Sequence, residues 1–442
     1  MTIRMDEGAA ELLDTLHRAG YAAYVVGGCV RDSLLGLTPH DWDLCTSALP
    51  QQGMELFGEE KCIPTGLQHG TVTVKQGGGL YEITTFRTEG TYTDGRHPDE
   101  VHFVPDVRED LARRDFTINA MAYNAKEGLV DPFGGQADLQ SGVLRAVGVP
   151  HQRFTEDALR ILRLYRFAAR FGFSIDSPTA QAAQELCAHL DCVSVERIEE
   201  EFAKLLSAPA PAAYLDEKIL GVVLPELSPE ALAAAKPVVD ACPAGEQALP
   251  VRLAALLLSL GEDGTRRTLR RLRCSNACIE ETVVLVREVV SGVPGAFSSD
   301  TNRAIPSPAL LPAATGSHPS GRSSEKLPAR PPVSLNIYTR KLLGKYNLCT
   351  VQRLAALGTA LQPEHAADFA ALSELAERLD ADGVCCRVSQ LAVNGRDLMA
   401  AGVPAGPGIR KVLEALLDGV IREEYPNERQ ALLAAVQQLA AS

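Results

Sequence analysis

Near Thr155 the spacing of apolar residues changes character, and that change limits the folds open to this chain. Before it, short Val-, Ile-, Thr- and aromatic-rich runs alternate with helical spacing. YAAYVVGG (21–28) reads as a strand closing on a turn, and CVRDSLLG (29–36) as a helix stopped by Gly36. DWDLCT, GTVTVK (70–75) and YEITTFR (81–87) read as further strands. After it, apolar residues recur three and four apart in EDALRILRLYRFAARFGF, AQAAQELCAHL and VERIEEEFAKLLS. The expected class is α+β, a small mixed β-sheet followed by all-α regions. At 442 residues the chain exceeds one core. Residues 298–333 are rich in Ser, Pro, Ala and Gly without periodicity, the composition of a low-complexity linker or insert.

Composition narrows the class further. The chain is 46% hydrophobic and 22% charged, with no apolar run of membrane-spanning length and no apolar signal region in MTIRMDEGAA. Eleven cysteines lie scattered with no C-x-x-C pair, which fits reduced thiols in a cytoplasmic protein. A net charge of −13 works against non-specific binding of nucleic acid, so any such contact needs a local basic surface. TRRTLRRLR (265–273) and YTRKLLGKY (338–346) are two such stripes, open to phosphate contact or to a solvated helix face alike.

Chemistry concentrates in residues 27–45, GGCVRDSLLGLTPHDWDLC. On a strand, positions two apart share a face, so Asp41 and Asp43 present two carboxylates side by side with Trp42 on the other face. Two like charges so placed call for a cation, and carboxylates with water suit Mg²⁺. Upstream, Gly27 and Gly28 allow close backbone approach, and the helix they open offers N–H groups to phosphates. Arg31 follows within about one turn, placed to reach a triphosphate. A bare D-x-D is also common as a solvated strand end; the glycine turn before it favours the metal reading.

At this point the chain resembles a known family. GGCVRDSLLG…DWDL is similar to the signature of the DNA polymerase β-like nucleotidyltransferases. More narrowly it resembles class II tRNA nucleotidyltransferases, the CCA-adding enzymes, with bacterial poly(A) polymerases as relatives. EDLARRDFTINAMAYN (109–124) and EDALRILRLYRFAARFGF (156–173) match the family's second and third motifs, and residues 393–433 resemble its tail. The resemblance implies a catalytic head at 1–145 and a helical neck at 146–207 that binds the base and the tRNA end. It implies a body at 208–297, the insert at 298–333, and a tRNA-binding body and tail at 334–442. Arg114 is carried over as a nucleotide contact at the ribose.

Asp157 and Arg160, three apart on one expected helix face, offer an acceptor beside planar donors. Cytosine and adenine both present an amino group beside a ring acceptor, whereas uracil and guanine reverse the order. The pair therefore resembles the family's protein template. Arg163 and Arg166 continue the spacing, drifting about 60° per step, toward the triphosphate or the RNA end. Glu82 is an open candidate for a third carboxylate, equally readable as an exposed strand residue. The polar loop 87–103 resembles one present in enzymes that add A, and His97 within it reads as structural. Many bacterial members carry a His-Asp metal module; here Leu258 and Ser259 stand in its place within RLAALLLSLGED, so the segment reads as structural.

The implied activity is template-independent addition or repair of the 3′-terminal CCA of tRNA from CTP and ATP, with release of pyrophosphate. The implied partners are the tRNA acceptor arm and 3′ end, ATP and CTP, with no membrane and no obligate protein partner. A poly(A) polymerase or an A-adding enzyme is the alternative within the superfamily. A non-catalytic tRNA-binding protein is the alternative of another class, but it would have no physical reason to retain two repelling aspartates.

Overall fold

The Val- and Thr-rich runs of the N-terminal region assemble into one mixed sheet. In the computed structural model residues 3–90, 101–290 and 334–439 are described. Most of the 87–103 loop, with His97, and the whole 298–333 segment lie outside them. The sheet takes β1 (Ala23–Val26), β2 (Leu44–Thr46), β3 (Cys62–Gly66), β4 (Thr71–Gln76), β5 (Gly79–Thr85), β8 (Ala122–Asn124) and β9 (Gly128–Val130) in the order β3-β4-β5-β2-β1-β8-β9. β2 and β5 run parallel, with Leu44 opposite Ile83, and the other neighbours are antiparallel. β6 (Arg87–Glu89) and β7 (Val101–Phe103) pair separately, at the base of the loop.

The chain divides into two compact units, Met1–Pro225 and Glu226–Ser442. Among its described residues the first holds the sheet and ten α-helices: α1 (Glu7–Arg18), α2 (Gly28–Leu34), α3 (Pro50–Phe57), α4 (Val107–Ala112), α5 (Gly135–Ser141), α6 (Pro150–Glu156), α7 (Leu159–Phe171), α8 (Ser177–Glu185), α9 (Val195–Leu206) and α10 (Glu217–Val223). β1 is buried along its whole length because both sheet faces are covered. Tyr24 and Val26 pack with Phe86, Val107 and Leu111 on one side, and α1 buries Leu12 and Leu16 against the sheet.

Two expected elements differ. FTINAMAY, whose Phe, Thr, Ile and Tyr content favours a strand, forms a short 3-10 turn at Thr117–Asn119 before β8, because polar Asp115 and Asn119 turn inward and bond each other. The single helix expected over 156–173 is two helices. Asp157 lies in the gap with extended backbone (φ −143°, ψ 104°), its Oδ1 accepting the Leu159 N–H at 3.0 Å. An Asp side chain that competes for backbone amides interrupts a helix and starts the next.

The second unit is helical throughout its described residues. Its C-terminal part packs Val393, Leu398, Leu416, Val420, Leu432 and Val436 into one core. Leu258 and Ser259 fall in a 3-10 turn after the helix Leu249–Leu257. In the first basic stripe Arg271 pairs with Glu226 at 2.7 Å and Arg266 with Glu280, leaving Arg267 and Arg270 on the exposed face. In the second, Arg340 meets Glu423 at 3.2 Å and Lys341 meets Asp418 at 3.0 Å, so much of its charge is spent internally. No helix among the described residues is long and apolar enough to cross a membrane.

Candidate active site

β1 ends on a turn that only glycine accommodates. Gly27 sits at φ +77°, ψ −121°, closed to ordinary L side chains. A Cβ there would stand 2.9 Å from Arg114 Nη1. The Gly27 N–H donates to the Met121 carbonyl at 3.0 Å, so the turn is anchored to the segment entering β8. Gly28 then opens α2.

From α2 the chain returns toward β2, and Asp41 and Asp43 stand in the extended lead-in, just ahead of the strand expected to carry them. The lead-in is already paired, since the Val26 N–H donates to the Asp43 carbonyl at 2.9 Å. Both aspartates are exposed, and neither carboxylate is engaged by a hydrogen bond or ion pair among the described residues. Because Leu44 faces Ile83 in the parallel ladder, the exposed Glu82 falls at the level of Asp43. The Asp43 carboxyl is pushed above the usual carboxylate range. Desolvation by the surrounding protein leads, the Glu82 charge adds, Arg114 opposes, and Asp41 adds again. Glu82 thus belongs with the aspartates. Period-two burial of Tyr81, Ile83 and Thr85 is the signal that turns it outward.

Arg114 follows α4. Its guanidinium lies over the Gly27 turn, with Nη2 3.5 Å from the buried Asp110 carboxylate. Its charge also acts on the Asp43 carboxyl.

Asp157 and Arg160 flank the start of α7, joined by the Arg160 N–H donating to the Asp157 carbonyl at 3.0 Å. Asp157 Oδ2 accepts from Arg197 Nη2 at 2.9 Å. Arg160 donates to Glu156 Oε2 at 3.1 Å and to the Arg113 carbonyl at 3.2 Å. Both are half-buried and held in place, and both retain free capacity, lone pairs on the carboxylate and N–H groups on the guanidinium.

Three arginines expected on a ligand each meet an acidic partner in the fold. Arg31 is buried, donating to Asp32 Oδ1 at 2.7 Å and to Asn119 Oδ1 at 2.5 Å, with its guanidinium 5.3 and 4.9 Å from the Phe167 and Phe171 ring centres. Arg163 donates to Asp115 Oδ2 through Nε (3.0 Å) and Nη2 (2.7 Å). Arg166 donates to Glu201 and lies 3.9 Å over the Phe167 ring. Helical spacing sets Arg163 and Arg166 near one face of α7, but their acids, Asp115 and Glu201, lie 48 and 35 positions away in sequence, whereas Arg31 on α2 pairs with the adjacent Asp32.

Burial alone would raise the Asp115 carboxyl, but the Arg163 charge, with hydrogen bonds from Arg163 and Asn119, lowers it to about 2. A folded-state value below the unfolded one contributes stability that is present above about pH 4 and lost as pH falls toward 2. Asp115→Asn is expected to cost about 2 kcal/mol at pH 7, with the gap to wild type closing between pH 4 and pH 2 in thermal or denaturant unfolding. A gap independent of pH would assign the loss to packing rather than charge.

Comparison with known proteins agrees along the chain. The model of the "Poly A polymerase head domain" matches residues 23–145, and that of tRNA nucleotidyltransferase domain 2 matches 337–436. Between them, "Probable RNA and SrmB- binding site of polymerase A" matches 172–230. The CCA-adding enzyme of Lactobacillus delbrueckii subsp. bulgaricus is 37% identical over 431 residues, 96% of this chain and 96% of that protein. That of Geobacillus thermodenitrificans is 35% identical over 96% of this chain and 95% of the relative. The crystal structure of the Bacillus stearothermophilus CCA-adding enzyme in complex with CTP aligns with a TM-score of 0.75 at 28% identity, covering 99% of this chain and 98% of that one. With 37% identity to a CCA-adding enzyme across 96% of both chains and a head-domain match over residues 23–145, the chain belongs to the CCA-adding enzymes and is a nucleotidyltransferase.

Proposed function

We propose that this chain builds or repairs the 3′-terminal CCA of tRNA, adding C, C and A from CTP and ATP without a nucleic-acid template and releasing pyrophosphate. The observation that supports the reading is the presence, within one compact unit, of two unpaired carboxylates, a glycine turn under Arg114, and an anchored Asp157–Arg160 pair.

Asp41 and Asp43 fit Mg²⁺. Both are exposed and form no ion pair among the described residues, where no three His, Cys, Asp or Glu groups converge to hold a metal alone. Such a site leaves coordination positions to water and substrate phosphates, the arrangement Mg²⁺ prefers. An ion held by Asp41 and Asp43 would supply Lewis-acid chemistry, lowering the pKa of the attacking 3′-hydroxyl and offsetting charge on the leaving pyrophosphate. Glu82, at the level of Asp43, adds negative charge beside the pair in this reading. Gly27 and Gly28 let the triphosphate approach the backbone, and Arg114 contacts the nucleotide at its ribose. Asp157 accepts from the amino group of cytosine or adenine while Arg160 donates to the neighbouring ring nitrogen. Uracil or guanine would leave both mispaired. Arg31, Arg163 and Arg166 support this surface from within.

Residues 1–145 act as the catalytic head and 146–207 as the neck. Residues 208–297 and 334–442 act as body and tail, where Arg267 and Arg270 are available to tRNA phosphates. Eleven free thiols support a reducing, cytoplasmic setting.

Gly27→Ala is expected to raise the KM for CTP about tenfold with little change in kcat, since the left-handed turn and the Arg114 contact resist a methyl group. Steady-state addition kinetics check this.

The function itself is tested by extending tRNA transcripts lacking CCA with Mg²⁺ and CTP, ATP or both. Transcripts ending in CC and a non-tRNA oligonucleotide run beside them. Three additions followed by arrest uphold the proposal. Extension of the CC-ended transcript alone makes the chain an A-adding specialist, and long tails on any RNA make it a poly(A) polymerase.

A further inference from the structure

A buried polar chain joins the glycine turn to α7, and its centre is a residue outside the nucleotide contacts above. Asn119 is 6% exposed. Its Oδ1 accepts from Arg31 Nη1 at 2.5 Å, and its Nδ2 donates to Asp115 Oδ1 at 3.1 Å. Asp115 Oδ2 in turn accepts from Arg163, one helical turn beyond Arg160 on α7. Toward the turn, the Arg31 N–H donates to the Gly27 carbonyl at 3.0 Å, and the Asn119 carbonyl lies 3.6 Å from where a Gly27 Cβ would stand. Phe167 and Phe171 of α7 close over the Arg31 guanidinium.

The chemistry of the link is specific. Asn119 must accept from a cation on one side and donate to a carboxylate on the other, which an amide does with one side chain. Asp in its place would repel Asp115, and an apolar residue would leave both neighbours with an unmet bond in the interior.

We propose that Asn119 is a positioning residue that fixes the spacing between the triphosphate turn and the base-reading pair Asp157–Arg160, and is thereby a determinant of nucleotide choice. This rests on the base-reading role given to that pair. The phosphates are held at the turn and the base at the start of α7. A small shift of α7 against α2 therefore moves the template groups off the base edge while every phosphate contact survives. Losing the amide weakens discrimination more than affinity.

The test compares the full-length wild type with Asn119→Ser, Asn119→Ala and Arg31→Lys in single-nucleotide addition, measuring kcat/KM for CTP, UTP, ATP, GTP and dCTP. The expected result is a fall of about tenfold or more in the CTP/UTP and ATP/GTP ratios, with the KM for CTP changed less than about threefold. The CTP/dCTP ratio should stay unchanged, and melting should shift by only a few degrees for Asn119→Ser, which retains a polar group. Arg31→Lys keeps the charge without the fork, and its double variant with Asn119→Ser should lose no more discrimination than either alone. An equal loss for all nucleotides would overturn the proposal, as would a change confined to CTP against dCTP. Asp157→Ala runs alongside. Ratios that collapse in Asp157→Ala but hold in the Asn119 variants sink the positioning role and leave base reading standing. Ratios that fall only in the Asn119 variants remove Asp157 from the reading and overturn the positioning role with it. Ratios unchanged in both overturn both.

Discussion

Asp43→Asn is expected to lower kcat for nucleotide addition by about a thousandfold or more, with tRNA retention and thermal stability near wild type. A thousandfold corresponds to about 4 kcal/mol of transition-state stabilisation, the scale at which seating a divalent ion matters. The fold has little to lose. The Asp43 carboxylate makes no hydrogen bond or ion pair among the described residues, and its charged form is disfavoured by desolvation and by Glu82. Asparagine keeps the shape and removes that penalty, so the melting temperature is expected to hold or rise slightly while activity vanishes. Single-turnover addition to a CC-ended transcript, filter binding of the same transcript and a melting curve separate the three quantities. Activity above about a tenth of wild type would remove Asp43 from the metal seat, since loss of a metal-seating carboxylate costs far more. Asp41→Asn should behave alike.

The second large effect concerns choice rather than rate. Asp157→Ala is expected to reduce the preference for CTP over UTP by about a hundredfold, mostly through lost CTP use rather than gained UTP use. Without the carboxylate, the cytosine amino group loses its acceptor in a half-buried setting, while Arg160 still opposes the uracil N3–H. Arg197 also loses its partner at 2.9 Å, so some stability is lost as well. That loss acts equally on all nucleotides and cancels in the ratio. Competition of paired nucleotides on one transcript reads the ratio directly. A preference within about threefold of wild type would show that Asp157 serves only its Arg197 bond and the Leu159 amide.

Much of the site could be read from residue pattern, for identifiable reasons. Strands β1, β4 and β5 follow from β-branched runs with turn residues at their ends, and the glycine pair announces a backbone that other residues resist. Asp41 and Asp43 stand out because like charges at that spacing demand an explanation. The arginines of α2 and α7 were harder. Spacing tells which side chains share a helix face but not whether that face meets solvent or acids brought from elsewhere. Arg163 meets Asp115 across 48 positions and Arg166 meets Glu201 across 35, pairings that only the fold creates. Asn119 was hidden for the same reason. A polar residue between Ile118 and Ala120 signals buried partners, but not which ones. The break at Asp157 was masked by the regular spacing of the arginines after it.

The anchoring of the glycine turn to Met121 also has a consequence for how the protein is made. β1 pairs with β2 about twenty residues later, a contact a growing chain can form early, but its other neighbour is β8, with Val25 opposite Tyr123 and Val26 opposite Ala122. The Gly27 amide has no backbone acceptor until Met121 arrives. On the ribosome, the emerging polypeptide thus exposes both aspartates well before the turn beside them can close. The turn should close only once the eighth strand has cleared the exit tunnel, and nascent chains arrested short of Tyr123 should be protease-sensitive and unable to retain CTP.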